Sequence, residues 1–181
     1  MRHTKKLTLG AMIIALSVLF MMLGYFVEAL DLTVAAILSL LMAFVFIELG
    51  SPYTYSVWLA TSLLGAVFFT GSQVWLTYFL IFGIYPVLKA YIERLPRAAW
   101  IFVKLGFFNV ALVLLMLATE LILMIPFFSE LPEAMAAYEF FIKAGFVAVF
   151  NLAFLLYDVF MTVMIRAYFQ RLRHRVRRFL K

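Results

Sequence analysis

An all-α integral membrane bundle of six transmembrane helices, with both chain ends cytoplasmic, is the fold class this sequence predicts, on three observations. Of its 181 residues, 67% are hydrophobic and 13% charged, and mean hydropathy is +1.10. A soluble domain carries about 45–50% apolar and roughly 25% charged residues. The apolar residues fall into six stretches near the length of about 20 residues that a helix needs to cross a bilayer. Lysine and arginine also collect where six crossings put them on one side.

The spans are drawn at about 7–27, 32–49, 53–70, 74–91, 99–126 and 138–165, separated by polar or turn-forming residues: Glu28 to Asp31, Gly50-Ser51-Pro52, Gly71-Ser72-Gln73, Glu93 to Arg97, and Ser129 to Glu133. They are too long for barrel strands of 9–11 residues and lack strict alternation. The first stretch exceeds a usual signal h-region and leads into Val27-Glu28-Ala29-Leu30 without a small-x-small site, so it is expected to stay as a span. Residues 1–181 thus read as a single six-helix domain with a basic tail at 166–181.

Orientation follows from the bases. Arg2, Lys5 and Lys6 precede the first span, Lys89, Arg94 and Arg97 surround the fourth-to-fifth turn, and Arg166, Arg171, Arg173, Arg175, Arg177, Arg178 and Lys181 fill the tail. The positive-inside rule assigns that side to the cytoplasm. Glu28, Asp31, Glu130, Glu133 and Glu139 mark the other side. The tail suits anionic headgroups or a cytoplasmic partner. The segment 126–139, after Pro126, is expected to hold a short interfacial helix over 129–137, as a lid or a plain connector. Basic residues beside apolar spans argue against nucleic acid.

Cysteine is absent, and the two histidines, His3 and His174, lie in the tails. No metal site or cofactor is expected. Neither a Gly-rich phosphate loop, nor H-E-x-x-H, nor a serine elbow is present, so no enzyme is expected and any ATP-driven work would need separate ATPase subunits.

Charged groups inside spans are informative, because each costs about 2.5–3.5 kcal/mol at a helix centre. Depths match in pairs across spans five and six: Lys104 with Asp158, Asn109 with Asn151, Glu120 with Lys143. Glu48 and Lys89 fall together at inner ends. Such pairs tie helices together. Glu120 and Lys143, in the outer half, suit either a ligand cavity or mutual pairing. Gln73, Trp75, Thr77 and Tyr78 open span four as interfacial anchors or as an aromatic and amide rim for a ring-bearing ligand, and Asp31 is a further candidate. Ala11 and Ala15 share one face of span one, as do Ala35, Ser39 and Ala43 on span two, and small residues at that spacing admit close helix approach.

The opening Lys-Lys-Leu-Thr-Leu-Gly-Ala-Met-Ile-Ile-Ala-Leu-Ser-Val-Leu-Phe, residues 5–20, resembles the start of substrate-binding S components of energy-coupling factor (ECF) vitamin transporters. Those proteins have similar length, six helices, cytoplasmic ends and an Ala-x-x-x-Ala first helix. The resemblance implies that Ala11 and Ala15 contact a transmembrane T subunit joined to two ATPases, in a bacterial cytoplasmic membrane. It also implies a small-molecule site in the outer half, for which Asp31, Gln73, Trp75, Tyr78, Glu120, Lys143 and Asn151 are the candidates. The alternatives are a non-transport membrane scaffold, similar in size to the rod-shape morphogenesis subunit MreD, and an intramembrane enzyme acting on a lipid through Asp158 and Lys104.

Overall fold

Gly50 alone links the second helix to the third, at φ 87°, a left-handed value that only glycine adopts without strain. Its N–H bonds the Phe46 carbonyl and its own carbonyl accepts from Thr54, so the chain reverses with its backbone satisfied. The computed structural model describes residues 3–124 and 138–174, and among these every regular element is helical. They are α1 (His3–Phe26), α2 (Asp31–Leu49), α3 (Ser51–Phe68), α4 (Gln73–Thr77), α5 (Tyr85–Ile92), α6 (Arg97–Ile122) and α7 (Glu139–Ala167). The expected helix over 129–137, and the tail beyond 174, lie outside the described residues.

Among the described residues five rods are long and apolar enough to cross a bilayer: α1, α2, the α4–α5 rod, α6 and α7 with its extension. The remaining rod, α3, runs 18 residues and opens on Ser51-Pro52-Tyr53-Thr54-Tyr55-Ser56, which dilutes its apolar character. Large aliphatic and aromatic side chains cover the outside, for example Phe102, Leu121 and Leu156, an arrangement suited to hydrocarbon rather than water.

Four contacts gather the bases at one end of the bundle, called here the basic end. Lys6 lies over the Tyr53 ring, Ser51 bonds Tyr91, Lys104 bonds Glu93, and Arg173 bonds Glu48. The opposite, far end holds the α1–α2 and α3–α4 turns.

α2 is the central post. It buries Val34, Ala35, Leu38, Ser39, Met42, Ala43 and Val45 against neighbours on several sides, so the small residues spaced by four face the interior. On α1 the buried stripe is Gly10, Ile13, Ser17, Met21 and Gly24. Gly10 approaches Val57 and Gly24 approaches Val74, where a Cβ would stand 3.4 and 3.1 Å away. Ala11 and Ala15 sit on the other face and are exposed.

The fourth rod is not the uninterrupted helix expected over 74–91. Ser72 caps α4, its hydroxyl accepting from the Val74 N–H; five residues, Tyr78–Phe82, then form a π-turn, and Gly83-Ile84 turns the chain into α5. Pro86 explains the break, because it has no N–H for the preceding turn and its ring crowds the carbonyl four residues back. The Gly83 N–H bonds the Tyr78 carbonyl at 2.7 Å instead of that of Phe79. The freed Phe79 carbonyl accepts from Trp58 Nε1 at 3.3 Å. A Cβ at position 83 would lie 2.5 Å from the Trp58 ring, so glycine is required for this exchange of partners.

Two apolar cores result, one among α1, α2, α3 and α4, the other between the fourth rod, α6 and α7. α7 is thinly packed: among its described side chains only Phe154 and Met161 are fully buried. Polar ties do more of the fastening there.

Candidate functional site

A cavity of about 460 Å³ lies between α2, the fourth rod, α6 and α7. α2 and α7 touch through Ser39–Tyr157 and around Glu48, and the cavity lies on the far side of Tyr157, where Leu32, Thr33 and Ala36 of α2 face Val149, Phe150 and Ala153 of α7. Five aromatic side chains, Phe82, Phe108, Phe150, Phe154 and Tyr157, line it together with aliphatic ones. Phe108 stacks on Phe154 at 4.3 Å, and Phe82 meets Tyr157 edge-on at 4.8 Å. Thr33, Thr77 and Tyr157 contribute the only hydroxyls of its described lining, and no charged side chain lines it. Leu32, Val149 and Ala153 edge its mouth and are themselves exposed.

On the basic-end side of Tyr157 comes a dense charge cluster. Asp158 Oδ2 lies 2.8 Å from Lys104 Nζ, while its Oδ1 contacts Lys89 Nζ and accepts from the Tyr85 hydroxyl at 2.5 Å. Glu93 Oε1 lies 2.7 Å from Lys89 and 3.0 Å from Lys104. Two ammoniums and two carboxylates balance to zero. Lys89 and Lys104 are buried, and Glu93 reaches toward the surface. Desolvating an ion is expensive, so buried charge is tolerated when each group is multiply paired. Partial burial works to raise the Glu93 carboxyl, but hydrogen bonds from Lys89 and Lys104 and their charges outweigh it, holding the group below the ordinary carboxylate range.

The other sequence candidates distribute as follows. Lys104 meets Asp158 as the depth matching expected. Asn109 and Asn151 exchange reciprocal amide bonds at 2.9 and 3.0 Å, and each also donates to the carbonyl four residues before it. The pairing expected of Glu48 with Lys89 does not form. Glu48 accepts from the Tyr168 hydroxyl at 3.0 Å and from Arg173 Nε at 3.3 Å, because α7 continues past Ala167 through a second π-turn, Tyr168–Leu172, that carries both groups to the end of α2. Lys89 is drawn toward α6 and α7 by the break at Pro86.

Glu120 is exposed and makes no ion pair with Lys143, which is half-buried in the first turns of α7. Asp31 heads α2 and packs over Gly24. Gln73 and Trp75 are half-buried, with Trp75 packed on Gly65. Tyr78 is fully buried in the first core. None of Asp31, Gln73, Trp75, Tyr78, Glu120, Lys143 and Asn151 is in the described lining of the cavity; their neighbours Leu32, Thr77 and Phe150 are. One residue along a helix turns the side chain by about 100°, so a reading of depth without facing names residues beside this lining rather than in it.

Sequence reasoning missed Tyr85, Glu93, Trp58, Gly83 and Pro86. A signal for the last two was present, a Gly-x-x-Pro inside an apolar span. Among the described residues no group of three or more His, Asp or Glu side chains is arranged to hold a metal.

Together these features define an all-α bundle of the multi-pass membrane class, with an apolar interior cavity and an ion-paired end. The chain matches no protein-family model, no curated protein and no solved structure.

Proposed function

We propose that this chain is the substrate-capture subunit of an ATP-driven importer of the energy-coupling factor type, in the bacterial cytoplasmic membrane, with six spans and both ends cytoplasmic. The observation that carries the proposal is the cavity of about 460 Å³ in the far half of the bundle, separated from the basic end by Tyr157 and the Asp158 cluster. Its volume lies within the roughly 300–1,000 Å³ typical of small-molecule sites. Further support comes from α1, whose Ala11 and Ala15 face outward, available to a T subunit, while the bundle packs on Gly10, Ser17 and Gly24. No ATP-binding loop occurs in the sequence, so energy would come from two separate ATPases. Anionic lipid would hold the basic tail.

A second reading is a membrane scaffold of the MreD kind. It is favoured by the charge cluster, since Lys89, Lys104, Glu93 and Asp158 pair with one another and none faces the cavity.

Affinity purification from native membranes separates the two. Co-purifying ATPases and a T subunit are expected, with loss on Ala11→Trp and Ala15→Trp. Recovery of cell-envelope assembly proteins without ATPases would favour the scaffold instead. The chain has no native cysteine, so single cysteines placed at Thr4 and Gln170 are uniquely labelled; reagents confined to the outside should reach neither.

A further inference from the structure

We infer that the cavity takes a planar, uncharged, lipid-soluble ring compound, entering sideways between α2 and α7; naming this ligand class rests on reading the cavity as a capture site.

Charge is excluded first. Among the described residues the lining includes Thr33, Thr77 and Tyr157 but no charged side chain. Lys89 and Lys104, on the basic-end side of Tyr157, are already committed to Asp158 and Glu93. An ionic ligand would give up its water for no counter-charge in the described lining.

Shape is decided by the aromatics. Five of the lining residues, Phe82, Phe108, Phe150, Phe154 and Tyr157, are aromatic, beside aliphatic ones such as Leu112 and Leu115, and ring-on-ring contact adds stabilisation beyond area burial. A saturated acyl chain gains nothing from that term. The cavity, of about 460 Å³, falls in the range of small-molecule sites and is large enough for two or three fused rings.

The route is set by the mouth. Leu32 and Val149 are 54% and 64% exposed and edge the opening together with Ala153. All three are apolar, and in a bilayer this opening meets acyl chains rather than water. The ligand is therefore drawn from the lipid phase.

1-Aminoanthracene, a neutral fused-ring amine whose fluorescence rises in apolar surroundings, serves as the probe, with the full chain in lipid nanodiscs and empty nanodiscs as baseline. Saturable binding of one probe per chain is expected. Ala153→Phe at the mouth and Ala36→Leu on the opposite wall should each weaken it at least tenfold without changing the melting profile; one folded variant suffices. Unlabelled anthracene should displace the probe, and hexadecanol at equal concentration should not. Binding no greater than in empty discs, equal binding by a folded filled variant, or stronger displacement by hexadecanol overturns the inference. Saturable binding without co-purifying ATPases leaves this inference standing and sinks the importer reading. ATPases without probe binding do the reverse.

Discussion

Asp158 Oδ2 and Lys104 Nζ stand 2.8 Å apart between α7 and α6, and the other oxygen of the same carboxylate serves Lys89 and Tyr85. One side chain therefore joins three rods. Breaking a buried pair costs about 3–5 kcal/mol; with Asp158 14% exposed, the lower end applies. Asp158→Asn is expected to destabilise the protein by about 3 kcal/mol in thermal or SDS unfolding. Adding Lys104→Met should restore part of that loss by removing a stranded ammonium. A double variant no better than Asp158→Asn alone would mean that the two groups are not coupled.

Glu93 yields the pH dependence. Its folded-state pKa lies below the ordinary value of 4.5, so it contributes stability that is full above that value and is lost as pH falls through the depressed one. The melting temperature of the native chain should exceed that of Glu93→Gln by a constant margin from pH 7 down to about pH 5. The margin should then shrink in acid. A margin that widens in acid would reverse the assigned sign.

The Asn109–Asn151 exchange predicts a coupling energy. Interhelical hydrogen bonds in membranes average about 0.6 kcal/mol and reach about 1.7; with two reciprocal bonds the upper value is expected here. Single Leu substitutions should each destabilise, while the double Leu variant should approach the native stability. A double-mutant cycle with zero interaction energy would show that the amides do not meet.

Gly83→Ala tests the broken rod. The added methyl would stand 2.5 Å from the Trp58 ring and 2.8 Å from the Tyr78 carbonyl, and overpacking of this kind costs about 1–3 kcal/mol. Trp58→Phe should recover only part of the loss, because the backbone clash remains and the Phe79 carbonyl loses its donor.

Glu48 holds the end of α7 through Tyr168 and Arg173. Glu48→Gln should loosen that end, raising tryptic cleavage at Arg171 and Arg173 severalfold in the purified protein. Unchanged cleavage kinetics would show that the contact does not restrain the chain.

Rod boundaries were legible because apolar run length and turn residues act locally: Gly50, Pro52 and Ser72 each end or start a helix by their own backbone chemistry. Two cross-helix pairs, Lys104 with Asp158 and Asn109 with Asn151, were legible because antiparallel neighbours align by depth. Glu48 and Lys89 were not, since their partners depend on a π-turn that adds residues to α7 and on a proline that redirects α5. The cavity was illegible as well. Its lining comes from four rods, a matter of helix facing that no single stretch of residues encodes.

The sparse packing of α7 bears on how the chain is built. An aspartate near a helix centre opposes insertion by about 2.5–3.5 kcal/mol when the helix is alone, and α7 carries Asp158 together with Asn151. Their partners Lys104 and Asn109 are on α6, the rod synthesised just before it. α6 and α7 thus neutralise part of each other's cost as a hairpin, and Lys89 and Tyr85 of the fourth rod, already in place, supply the rest for Asp158, so α6 and α7 should leave the insertion machinery together.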